Sequence, residues 1–388
     1  MGLTSGWTIA TAAALTVLLP ISCLLLWNRL GQRWWLRLPT RLVLIAAAQL
    51  AAVLTAGLFL NDQYGFYLSW SELFGGSATT PTLPAAAPVN LNTNQLRRAA
   101  AAGHSTIISV VIPGLHSAVP AEPALIYLPA VYGDPRRATQ RFPVVELLAG
   151  FPGHPQTWTG PLRLQHILDT AIAAGHVQPF IAVVPSPNVV PGRDTECVNV
   201  VGGPQVDTYL TDDVRTAVLA GFHAAPEPHQ WALMGYSAGG YCALNLALRH
   251  PNLYTAAASL SGYGRPMHNR ATGDLFAGSS SLRDHNSPLW LVDHPPTPPL
   301  SLLVMTSRQD TGSYRDTARL AAEARPPLTV TTVVLPRGGH NATVWTSLEP
   351  TAFTWLSAHL TPTRPSPPSP PSHPTRPPAA PSPTHHQP

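Results

Sequence analysis

Trp231-Ala232-Leu233-Met234-Gly235-Tyr236-Ser237-Ala238-Gly239-Gly240-Tyr241 is the stretch on which the reading of this chain turns. Its first four residues are apolar and read as a buried strand, and Tyr241 to His250 reads as a helix stopped by Pro251. Between them lies Gly-x-Ser-x-Gly, with glycines where a side chain would collide in a sharp strand-to-helix turn, leaving Ser237 exposed on that turn. The bare pattern is a weak signal. Its flanks give it weight as the site of a nucleophile.

Working outward, short β-branched runs alternate with helical periodicity from about His104 to Leu360. The strand candidates are residues 107–112, 144–148, 180–184, 231–234, 256–260, 300–305 and 328–334; the helical ones are 162–174, 206–220, 240–249, 314–324 and 345–359. Such alternation predicts an α/β fold, a mostly parallel central sheet with helices on both faces. Residues 263–299, rich in Gly, Ser, Asp, His and Pro, have no clear period and can form a lid.

A serine hydroxyl needs a base, a group that orients the base, and donors for the oxyanion. In the chain order Ser, acid, His, the base should come late. His340 fits, in the Gly-rich loop Arg337-Gly338-Gly339-His340-Asn341 before the last helix; His250 and His294 read as surface histidines. Asp310 directly follows the strand at 300–305 and is the expected acid. Asp316, at a helix start where a carboxylate has an ordinary structural use, is the alternative. The backbone N–H of Ala238 is the first expected oxyanion donor. Phe151, in Ala149-Gly150-Phe151-Pro152-Gly153, is the second, because Pro152 has no N–H; a simple Gly-Pro turn is the alternative. Asp194 and Glu196 form an acidic pair in a loop, facing either substrate hydroxyls or water.

The rest of the chain places the domain. Its 388 residues are 45% hydrophobic, ample for a large core, yet only 11% are charged and 44 are proline. Residues 7–27 and 42–60 are apolar runs long enough to cross a bilayer. The first resembles a cleaved signal peptide in position, but its leader lacks a basic residue, so two retained spans are expected. Arg29, Arg33, Arg37 and Arg41 lie between them, while Asp62 and Glu72 follow the second, which predicts a cytoplasmic loop and a catalytic domain outside. Trp34 and Trp35 suit the inner interface, and Tyr64, Phe66, Tyr67 and Trp70 the outer one. The expected organisation is a two-span anchor over 1–76, a linker over 77–103, the catalytic domain over 104–360 and a Pro-rich disordered tail over 361–388.

Several function classes are set aside. All 23 basic residues are arginine, scattered along the sequence and not gathered into a stripe that tracks phosphates, so no nucleic-acid partner is expected. There is no CxxC pair and no HExxH, so neither a metal nor a cofactor is expected. In an oxidising compartment Cys197 and Cys242 can pair, since Cys242 lies one turn into the nucleophile helix.

Gly235-Tyr236-Ser237-Ala238-Gly239-Gly240, Leu147-Leu148-Ala149-Gly150-Phe151 and Gly338-Gly339-His340 together resemble the esterase family that includes S-formylglutathione hydrolases, feruloyl esterases and antigen-85 type mycolyltransferases. Asn61 to Tyr67 and Asp194-Thr195-Glu196-Cys197 resemble a membrane-tethered actinobacterial branch of it. The resemblance implies an α/β-hydrolase fold, a triad of Ser237, Asp310 and His340, and Phe151 and Ala238 as oxyanion donors. Trp345 matches an aromatic position after the family histidine, and a substrate-binding role goes with it. Where the mycolyltransferases carry Leu-Leu-Asp-Gly, this chain has Ala149, and Ala342 stands where they carry a further tryptophan. The expected activity is therefore hydrolysis of carboxylic esters, with an ester or acyl-lipid substrate and, through the two spans, the membrane lipid as the expected partners. Acyl transfer to a cell-envelope acceptor is the alternative, and an inactive membrane-bound binding protein a third.

Overall fold

The computed structural model describes residues 6–27, 34–64 and 93–360. The expected Ala/Pro-rich tether, the Pro-rich tail, Arg29, Arg33, Phe66, Tyr67 and Trp70 lie outside the described residues.

Two long helices come first, α1 (Gly6–Leu26) and α2 (Trp34–Tyr64). They contain segments long and apolar enough to cross a membrane, Trp7–Leu25 and Arg37–Leu60, with mean hydropathy 2.1 and 2.3. The two pack together, and the hydroxyls of Thr16 and Thr55 meet at 2.8 Å. A nine-residue helix, α3 (Thr93–Ala101), follows. It falls inside the stretch expected to be linker. Thr-Asn-Gln-Leu-Arg-Arg-Ala-Ala-Ala is rich in good helix formers, and Leu96 gives it one apolar side to lay on the domain.

The domain that follows is built on one eight-stranded sheet in the order β1-β2-β4-β3-β5-β6-β7-β8. The strands are β1 (Thr106–Ile112), β2 (Glu122–Leu128), β3 (Val144–Leu148), β4 (Ile181–Val184), β5 (Trp231–Tyr236), β6 (Ala256–Leu260), β7 (Ser301–Ser307) and β8 (Thr329–Leu335). β3 to β8 run parallel and β2 is antiparallel to both its neighbours, so β1 regains the direction of the parallel set. All parallel strands thus begin at one end of the sheet and finish at the other. Ligand sites in such sheets form beyond the strands' carboxyl ends.

Helices cover both faces. The stretch Val206–Gly221, which passes through a π-helical turn at Tyr209–Val214, lies on one face together with the helix Ala238–Arg249 (α4). Leu164–Ala173 and the last helix, Ala342–His359, lie on the other. In β3 the alternation is direct: Val144 and Leu148 pack into the first layer, Val145 and Leu147 into the second. Burial on both faces explains why these strands read as continuous apolar runs.

Residues 263–299 are not a free lid. Leu289 and Val292, on the short helix Pro288–Asp293, join the core, and the Gly264 N–H donates to Asp316 at 2.8 Å.

Candidate active site

The strand-to-helix turn after β5 is as tight as its glycines require. A Cβ on Gly235 would lie 2.0 Å from the Gly239 oxygen, and one on Gly239 would lie 2.1 Å from the Leu148 oxygen. Ser237 itself takes φ 56° and ψ −124°, a conformation that L-residues rarely adopt. It is held by its N–H, which donates to the Leu260 oxygen at 2.8 Å. The strain is met by a rigid frame of β5, β6 and α4, all buried.

Two distant loops meet this serine. His340 Nε2 lies 2.7 Å from Ser237 Oγ, and His340 Nδ1 lies 2.8 Å from Asp310 Oδ2. An ionised Asp310 accepts the Nδ1 proton, leaving Nε2 as an acceptor for the serine hydroxyl. Burial alone would raise the Asp310 pKa. The hydrogen bond and charge of His340, then the hydroxyls of Ser261 and Ser313, outweigh it and hold the carboxyl below its ordinary value. Asp316, the alternative acid, is engaged at the Gly264 N–H instead.

The acid and histidine loops are also tied to each other. Ser307 Oγ donates to the Gly338 oxygen, and the Gly338 N–H donates to Gln309 Oε1 at 2.9 Å. Gly338, at φ 125°, makes the bend that an L side chain would resist. Asn341 then caps the last helix, accepting from the Val344 N–H at 3.1 Å. From that helix Trp345 stacks on Tyr236 at 4.6 Å and meets His340 edge-on at 5.2 Å. It is buried, forming the floor under the histidine.

The loop after β3 runs against this serine at Gly150, the residue before Phe151. Gly150 lies so close that a Cβ there would be 2.8 Å from the Ser237 Cβ. Asn188 Nδ2 donates to the Gly150 and Gly153 oxygens at 3.1 and 2.7 Å, holding both carbonyls of this loop on one side chain. No sequence pattern pointed to Asn188; one amide in a Pro-rich loop carries no periodic signal. Ala238, the first residue of α4, follows the serine, so its N–H is among the unbonded donors of a helix start.

Asp194 and Glu196 are brought together but not opened to solvent. The Glu196 N–H donates to Asp194 Oδ1 at 2.9 Å, while the Tyr263 hydroxyl and the Met267 N–H donate to the two Glu196 oxygens at 2.7 and 2.8 Å. Burial pushes Asp194 up to about 6; burial and then the Asp194 charge push Glu196 up to about 8. The pair pins the 263–267 segment to this loop. Next to it, Cys197 and Cys242 form a disulfide that ties the loop to α4. Among the described residues no cluster of His, Cys, Asp and Glu could hold a metal ion.

Known proteins share this framework. The family described as Putative esterase matches residues 122–359. An uncharacterised protein of Corynebacterium glutamicum is 28% identical over 162 residues, 41% of this chain and 37% of its own length. The MPT51 antigen of Mycobacterium leprae is 38% identical over 77 residues, 20% of this chain and 25% of its own. The matches thus span well under half of these curated relatives. Among solved structures, a ferulic acid esterase superposes with TM-score 0.58 at 16% identity, covering 66% of this chain and 99% of that one. An S-formylglutathione hydrolase from Agrobacterium tumefaciens gives 0.57 at 13% identity, covering 67% and 97%. MPT51 of Mycobacterium tuberculosis gives 0.51 at 16%, covering 65% and 97%. At such identities the likeness is one of fold.

Proposed function

Since this chain belongs to the Putative esterase family, we propose that it is a membrane-anchored serine esterase that hydrolyses carboxylic esters at the outer face of the membrane. The observation that carries the reading is His340 bridging Ser237 and Asp310 at 2.7 and 2.8 Å. Ser237 Oγ attacks the ester carbonyl as His340 Nε2 takes its proton. The oxyanion meets the N–H groups of Phe151 and Ala238. His340 returns the proton to the leaving alkoxide, and the C–O bond breaks to leave an acyl-enzyme. Water, deprotonated by the same nitrogen, then releases the acid and restores the serine. The His340 side chain is 41% exposed, so water reaches it, which favours hydrolysis over transfer.

Retention of both apolar helices is supported by their packing and the Thr16–Thr55 hydroxyl contact. An outside location is supported by Arg29, Arg33, Arg37 and Arg41 between the two runs and by the Cys197–Cys242 disulfide, which suits oxidising surroundings. In this organisation residues 1–76 are the anchor and 104–360 the catalytic domain. The test is turnover of short-chain nitrophenyl esters by the full chain. Wild type should release nitrophenol and Ser237→Ala should not; equal turnover by both would defeat the reading. Acyl products appearing on an added sugar in place of free acid would establish transfer.

A further inference from the structure

Arginines far apart in the sequence are gathered by the fold at one end of the domain. α3 lies so close to the turn after β2 that a Cβ on Gly133 would sit 2.2 Å from the Leu96 oxygen. This places Arg97 and Arg98 beside the turn carrying Arg136, Arg137 and Arg141, and all five are exposed. A groove of about 530 Å³ lies between them, lined by Arg97, Arg141, Tyr132 and His223 among others. The acids at this end are Asp134, paired with Arg136 at 2.8 Å, Glu227 on the loop that follows Ala224, and Asp169, which accepts from the Ser105 and Tyr127 hydroxyls at 2.8 Å. The face keeps a clear positive excess.

Its position in the topology gives it a meaning. Thr106 pairs with Leu128, and β2 runs antiparallel to β4, so α3, the start of β1 and the 129–143 turn all lie where the parallel strands begin. Ser237 lies at the opposite end, beyond the length of β5, about 20 Å for six residues. The chain therefore enters from its apolar helices at the arginine face, with the nucleophile on the far side.

We propose that this arginine face docks on the anionic lipid headgroups of the bilayer holding α1 and α2, so that Ser237 opens away from that bilayer. The inference rests on reading α1 and α2 as retained spans. Guanidinium groups match phosphate oxygens in pairs, and basic residues close to a membrane are drawn to an anionic surface. On this reading the charge of the face sets the pose. The ester consequently approaches from the envelope side and not from the bilayer beneath the domain.

The test is energy transfer from a fluorescent fluorophosphonate on Ser237 to acceptor lipids, with the full chain reconstituted in vesicles of phosphatidylcholine alone or with phosphatidylglycerol. With phosphatidylglycerol at low salt, the fluorophore should sit on the order of 40 Å from the surface, most of the diameter of a domain this size. High salt, or Arg97→Gln, Arg98→Gln, Arg136→Gln and Arg137→Gln together, should return it to the broader and shorter distances of the neutral vesicle. The same positions changed to Lys should keep the wild-type distance, and unchanged labelling of Ser237 shows that each variant is folded. A distance indifferent to lipid charge, or a Gln variant that behaves like wild type, overturns the proposal. Failure of the chain to float with neutral vesicles at high salt would instead remove the anchoring reading on which it stands.

Discussion

Glu196→Gln is expected to stabilise the protein in a pH-dependent way. Glu196 is 1% exposed, and burial followed by the charge of Asp194 raises its pKa from an ordinary 4.5 to about 8. The folded protein therefore keeps a proton on this side chain that the unfolded chain releases between those values. Stability contributed by this site is full below about pH 4.5 and falls as pH rises toward 8. At about 1.4 kcal/mol per pH unit, the loss by pH 7 is about 3 kcal/mol. Glutamine avoids it without giving up the contacts: its oxygen accepts from the Met267 N–H, and its amide donates to the Tyr263 hydroxyl, which can turn to receive it. For a domain of this size the unfolding midpoint should rise by about 6 °C at pH 7 and by about 1 °C or less at pH 4.5. Tryptophan-fluorescence melts of the full chain at the two pH values measure this. An equal shift at both, or a lower midpoint at pH 7, would refute the picture of Glu196 as a neutral buried acid pinning the 263–267 segment.

Other consequences can be checked in parallel. Asp310→Asn leaves the shape of the site but removes the carboxylate that fixes the His340 tautomer, so kcat should fall by about 10³- to 10⁴-fold in nitrophenyl-ester turnover; a loss under tenfold would point to another acid. Asn188→Ala frees the Gly150 and Gly153 oxygens, and the misplaced Phe151 N–H should lower kcat by up to about 10²-fold with KM little changed. Reduction of Cys197–Cys242, which closes a loop of 45 residues, should cost about 3–4 kcal/mol of stability in denaturant titrations.

Much of the site was legible because its parts are local. The apolar run at 231–234, the glycines around Ser237 and the helix after it are a contiguous signal, and His340 and Asp310 each follow a strand that reads as one. What escaped depends on partners distant in sequence. β2 carries Pro123 and a continuous apolar run, Ala124 to Leu128, and becomes a strand through its antiparallel register with β1 and β4. α3 is too short to show a period, and its identity comes from Leu96 packing on the 130–133 turn. The acidic pair at Asp194 and Glu196 reads equally well as solvated or substrate-facing, and only Tyr263 and Met267 reveal its use inside the protein. The arginines looked scattered for the same reason: Arg97 and Arg137 are neighbours only once β1 and β2 have folded back on each other.

The central claim is that Ser237 is the nucleophile. Its most direct test is peptide mapping of the full chain after reaction with a fluorophosphonate. Wild type should carry one adduct, on the peptide containing Ser237, and Ser237→Ala should carry none. Label on another residue of wild type, or label that persists in the variant, would contradict the account.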